Sequence, residues 1–112
     1  MPKQSAQLTR VFQALADPTR RAVVERLRQG PAPTSELASP FRMALPSFLQ
    51  HLDVLQKCGL IRSSKKGRVR TYELSTTTLK AAEDWMATQR TLWERRLDQL
   101  DKFLNELKER SE

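Results

Sequence analysis

The sequence predicts a mainly α, α+β fold: four short helices, one two-stranded β-hairpin and a long C-terminal helix. Three observations carry the prediction. Apolar residues recur at helical spacing between capping residues in four places, a single alternating run flanks a glycine, and an unbroken heptad-like spacing runs from Leu79 to Leu107.

Between Ser5 and Leu15, the residues Leu8, Val11, Phe12 and Leu15 fall on one helix face. Asp17-Pro18 then starts a second helix. A carboxylate accepts orphan N–H bonds at the N-cap, and proline is tolerated at the first helical position because its missing N–H is not needed there. Ala22, Val23 and Leu27 form the buried stripe, and Gly30-Pro31 ends the helix. Pro31-Ala32-Pro33 reads as a stiff connector. A brief third helix, Ser35 to Ser39, is expected to bury Leu37, with Thr34 or Ser35 as its cap. After a turn at Pro40-Phe41-Arg42-Met43, a fourth helix should run from about Leu45 to Lys57 with Pro46 in its first turn. Phe48, Leu49, Leu52 and Leu55 supply its apolar positions, and Gly59 closes it. Two helices joined by so short a turn make a helix-turn-helix unit.

The hairpin comes next. Leu60 to Lys65 and Arg68 to Leu74 flank Lys66-Gly67, with Val69, Thr71 and Glu73 on one face and Arg68, Arg70, Tyr72 and Leu74 on the other. Its tip carries Lys65, Lys66, Arg68 and Arg70. In the tail, Leu79, Ala82, Met86, Gln89, Trp93, Leu97, Leu100, Leu104 and Leu107 step by three or four residues without a Gly or Pro. A helix of that length exceeds what the preceding segment can cover, so Trp93 to Leu107 needs a partner.

Charge divides the chain in the same place. Residues 1–82 hold fourteen Lys/Arg against five Asp/Glu, a net of +9, while residues 83–112 hold six against eight, a net of −2. A basic head with a balanced tail points to a polyanionic partner for the head. Cys58 and His51 are each the only residue of their kind, which excludes an intrachain disulfide and a protein-built zinc site, and no catalytic constellation is visible. No long apolar run predicts a membrane span, and residues 1–5 lack the apolar stretch of a secretory signal, so a cytoplasmic location is expected.

The order of elements is that of a winged helix-turn-helix, and local strings narrow it. Leu15-Ala16-Asp17-Pro18-Thr19-Arg20-Arg21 resembles the second-helix opening of the ArsR/SmtB repressor family. Glu36-Leu37-Ala38 is similar to its third helix, Gln50-His51-Leu52-Asp53-Val54-Leu55 followed by Gly59-Leu60 to its recognition-helix ending, and Gly67-Arg68-Val69-Arg70-Thr71-Tyr72 to its wing. The resemblance covers residues 8–74. It implies a bacterial or archaeal homodimer on operator DNA, with the first and last helices building the interface through Leu8, Phe12, Met86, Trp93, Leu97, Leu100 and Leu104. Metal-sensing members carry paired cysteines on the third helix, or Asp and His on the last. Here the third helix reads Ser35-Glu36-Leu37-Ala38-Ser39 and the tail has neither Cys nor His, so no metal and no cofactor are expected. Leu49 stands where the family frequently has serine, and Ala44 where it has a Ser/Thr cap.

The expected organisation is a DNA-binding domain over residues 1–78 and a dimerisation helix over residues 79–112. Ser47, Gln50 and His51 are candidates for reading base edges in the major groove. Lys65, Lys66, Arg68 and Arg70 are candidates for wing contacts, and Thr34, Ser35, Arg42 and Arg20 for phosphates. Arg21 is open to a phosphate or to Glu25 on its own helix. The bland readings remain beside these: solvated polar faces for the helix and wing, core packing for Trp85 and Trp93, and a small buried residue for Cys58. The function expected is a non-enzymatic, sequence-specific repressor that binds an inverted repeat on double-stranded DNA. The alternative is a protein-interaction module built on the tail seam, with DNA binding weak or lost. Within the DNA-binding class a MarR- or PadR-type protein is the nearest rival.

Overall fold

The computed structural model describes residues 3–111 and orders them as α1 (Lys3–Leu15), α2 (Pro18–Leu27), β1 (Ala32–Pro33), α3 (Thr34–Ala38), α4 (Leu45–Lys57), β2 (Ile61–Lys66), β3 (Val69–Leu74) and α5 (Thr76–Arg110). These form a winged helix-turn-helix with a small antiparallel sheet and a long last helix. The chain divides into two units, one ending at Ala82 and one beginning at Glu83.

In the first unit, one core gathers Val11 and Ala14 from α1, Val23 and Leu27 from α2, and Leu37 from α3. Phe48, Leu52 and Leu55 join from α4, with Leu60, Ile61 and Tyr72 from the sheet region. All lie at or below 4% exposure, and Ala82 on the opening turns of α5 closes the set. Asp17 caps α2 as its type predicts, accepting from the Arg20 backbone N–H at 3.1 Å, with Pro18 at the first helical position. The α4 span agrees with its apolar spacing, and Gly59 ends it at φ +86°.

Four details differ from the sequence expectation. Pro31-Ala32-Pro33 is more than a connector, because Ala32 pairs with Tyr72 and Pro33 with Thr71, giving a three-stranded sheet of order β1-β3-β2. The third helix begins one residue earlier, with Pro33 at the cap position and no side-chain capping bond. Thr34 instead donates its hydroxyl to the Arg70 carbonyl at 3.5 Å. The hairpin turn is Gly67-Arg68, since Lys66 pairs with Val69. Gly67 has φ +64° and among the described residues no other residue type has positive φ, the pattern of a type II′ turn with glycine first. Finally, Leu49 is 41% exposed and takes no place in the core.

The second unit is the remainder of α5. It exposes Trp85, Met86, Leu92, Trp93, Leu97, Leu100, Phe103, Leu104 and Leu107 along one helix. Leu92 and Phe103 widen the expected seam beyond the strict two-in-seven spacing of a two-stranded coiled coil.

Candidate nucleic-acid interface

The surface is built from α4 and the hairpin. Buried Phe48, Leu52 and Leu55 hold α4 down along one side. A helical period of 3.6 residues then turns Pro46, Gln50 and Asp53 outward, and all three are exposed, as is Ser47. Phe41, in the turn before α4, stacks on Phe48 with ring centroids 5.5 Å apart. That stack ties the turn to the helix and leaves the next residue, Arg42, exposed.

On the hairpin, cross-strand pairs set the faces. Ile61 opposes Leu74, Ser63 opposes Tyr72, and Lys65 opposes Arg70. One face is therefore apolar at the root and cationic toward the tip. On the other face Arg62 meets Glu73 across the strands at 3.2 Å, and Lys66 opposes Val69. Arg68 sits in the turn itself, and Lys65, Lys66, Arg68 and Arg70 are all exposed. The Ser63 hydroxyl joins the two elements: it accepts from Gln56 Nε2 on α4 at 3.1 Å and from Arg70 Nη1 on β3 at 2.9 Å.

Arg20 and Arg21 do different work from that expected of them. The last carbonyls of a helix have no intrahelical donor. Here Arg20 donates through Nη2 to Gln13 at 3.2 Å and through Nε to Ala14 at 2.7 Å, and Arg21 donates through Nη1 to Leu15 at 2.8 Å. Both guanidinium groups thus cap the C-terminus of α1, where the helix dipole also favours positive charge. Arg21 makes this bond in place of the pairing with Glu25.

A further donor of Arg20, on Nη1, reaches His51 Nδ1 at 3.1 Å. Arginine has no acceptor, so the imidazole Nδ1 accepts and the ring proton lies on Nε2. His51 is half-buried, with Asp17 Oδ2 3.8 Å from the same nitrogen. Three of the five Arg20 N–H donors are therefore engaged within the chain, which leaves two for the phosphate expected of it. His51 likewise belongs first to a clamp joining α1, α2 and α4. The Asp17 carboxyl is held below its ordinary range, chiefly by the backbone N–H bond from Arg20 and further by the Arg20 charge, against an opposing desolvation.

Cys58 ends α4 with its thiol donating to the Leu55 carbonyl at 3.2 Å, and it is 2% exposed. Burial raises its pKa, which keeps it a thiol rather than a reactive thiolate. Among the described residues no His, Cys, Asp or Glu group could hold a metal ion, and no helix is long and apolar enough to cross a membrane. Leu8 and Phe12 are half-buried against the core of the first unit. Met86, Trp93, Leu97, Leu100 and Leu104 lie between 43% and 62% exposed. Sequence reasoning missed the clamp because its partners are 31 residues apart and are joined only by the fold.

Comparison with known proteins gives a consistent picture. A family model described as a helix-turn-helix domain matches residues 15–64. The transcriptional repressor SdpR of Bacillus subtilis is 34% identical over 79 residues, covering 70% of this chain and 88% of that protein. The crystal structure of an ArsR family transcriptional regulator is 54% identical, with a TM-score of 0.78 over 84% of this chain and 97% of its own. A homodimeric winged helix-turn-helix DNA-binding domain from Mycobacterium bovis, at 22% identity and a TM-score of 0.61, covers 82% of this chain and 91% of its own and shares the fold. With the cationic wing and exposed recognition helix in place, these matches show that the chain belongs to the ArsR/SmtB family of DNA-binding transcriptional regulators.

Proposed function

We propose that the chain is a cytoplasmic repressor that binds an inverted-repeat operator as a homodimer, without metal or cofactor. The observation that carries this reading is the pairing of an outward polar face on the first half of α4 with a cationic hairpin tip in the same unit. Gln50 and Ser47 are the base-reading residues, since both are exposed on that face. Lys65, Lys66, Arg68 and Arg70 meet the duplex backbone or minor groove, and Arg42 with the hydroxyls of Ser35 and Thr34 meets phosphates. Homodimerisation is supported by the exposed apolar stripe of α5 in the second unit and, separately, by partly exposed Leu8 and Phe12 on α1 in the first. It is also supported by the homodimeric state of the Mycobacterium bovis relative. Two copies then present two α4 helices to half-sites about one helical turn apart.

Selection of bound sequences from a random duplex library, followed by titration at two salt concentrations, tests the proposal. An inverted repeat should emerge, and if 6–10 phosphates are contacted its affinity should fall by about 10³- to 10⁵-fold between 50 and 200 mM salt. Recovery of nothing above random from folded protein overturns it. The same stripe favours a second reading, a module that docks a heterologous helix, and a clean monomer in light scattering would favour that one.

A further inference from the structure

Leu45 is 54% exposed and Leu49 is 41% exposed, and both lie in the first half of α4. The core does not call on them, because Phe48, Leu52 and Leu55 already fill the buried side of this helix. As an i,i+4 pair they share one row of the surface. That row adjoins exposed Pro46 and Gln50, and the exposed cations Arg42 before α4 and Lys65, Lys66 and Arg68 after it belong to the same unit. An apolar row on the half of the helix that enters a major groove meets a surface of polar base edges. The apolar group offered there is the 5-methyl of thymine.

Resting on the DNA-binding reading above, we propose that Leu45 and Leu49 are specificity-determining residues that each seat on a thymine methyl group in the operator half-site. Four residues of helix rise about 6 Å, close to two base steps at about 3.4 Å each. The two thymines accordingly lie about two base pairs apart. Gln50, beside Leu49 on the helix, suits an adenine through its bidentate amide. The half-site is therefore A·T-rich where the first turns of α4 dock. Its recognition depends on methyl groups as well as on hydrogen bonds.

The test uses the full chain and the selected operator duplex. Each thymine is replaced in turn by deoxyuridine, which removes the methyl and keeps the base pair. Binding is read by fluorescence anisotropy. Two positions in each half-site should each lose about four-fold in affinity, the loss expected for withdrawing one methyl-sized apolar contact. In Leu49→Ala one of those positions should become indifferent to the methyl while the other retains its preference. Uniform indifference of the natural protein to deoxyuridine overturns the proposal and needs no variant to fold. A second copy of this chain is the rival occupant of the row. Leu49→Ala that dissociates the dimer in sedimentation and leaves methyl discrimination intact overturns the proposal in its favour. Tight, selective, methyl-blind binding would sink this inference alone, whereas absence of any selective binding would sink the repressor reading with it.

Discussion

Replacing Arg20 with alanine separates two accounts of that residue. The substitution removes bonds to the Ala14 carbonyl at 2.7 Å, the Gln13 carbonyl at 3.2 Å and His51 Nδ1 at 3.1 Å. A hydrogen bond from a charged donor contributes about 1.5–3 kcal/mol where water is excluded. The Gln13 bond is exposed and water can replace it, while the other two are partly buried. The expected loss is therefore about 2–3 kcal/mol, short of the full sum because the bonds share one side chain. For a unit of this size that lowers the melting midpoint by roughly 10–20 °C. Urea denaturation at a fixed protomer concentration measures it, since a dimer's stability depends on concentration. Arg20→Lys should recover less than half of the loss, because an ammonium lacks the planar fork that reaches three acceptors at once. A phosphate-contacting arginine behaves differently: stability within about 0.5 kcal/mol of the natural protein, and a salt slope for DNA binding shallower by about 0.9. That combination would refute the clamp.

Other perturbations probe neighbouring features. The Asp17 pKa is lowered in the fold, so its contribution is fully present above the unfolded value, about 3.9, and is lost as pH falls through the lower folded value. Asp17→Asn keeps an N-cap oxygen, so urea midpoints of the two proteins should differ at pH 6 and draw together as the pH falls below the ordinary carboxylate range. Gly59→Ala forces a side chain onto φ +86° with its Cβ 3.0 Å from Gln7 Nε2 and 3.3 Å from Thr78 Oγ1. It should cost at least about 1–2 kcal/mol in the same assay. Cys58, buried and held as a thiol, should react with Ellman's reagent only at the rate of unfolding; prompt reaction at pH 8 would contradict its burial.

What could be read from the amino acids alone were features whose causes are local. The Asp17-Pro18 start of α2, the α4 span with Pro46 in its first turn, and the long last helix each rest on caps and periodicity within a few residues. Strand β1 could not be read this way. Two residues that include a proline carry no alternation, and their pairing with Tyr72 and Thr71 exists only once β3 is folded beside them. The turn at Gly67-Arg68 was displaced by one residue because glycine serves at either central position of a two-residue hairpin loop, and neighbouring composition does not choose between them. For the interface, the exposed Gln50, Ser47 and hairpin cations followed from the pattern. The inward assignment of Arg20 and His51 required knowing that α1, α2 and α4 converge.

The shared Ser63 hydroxyl, bonded to Gln56 on α4 and to Arg70 across the hairpin, makes a caliper of helix and wing. Each bond is water-exposed and individually modest, yet together they link the α4 face proposed to enter one groove to the wing proposed to rest beyond the adjoining strand. A caliper of fixed opening measures what it grips. Duplexes whose groove width already matches bind at no cost in deformation, while others must be squeezed or spread to fit. Preference would then extend to base pairs that no side chain touches, written in the stiffness of the DNA between the two jaws.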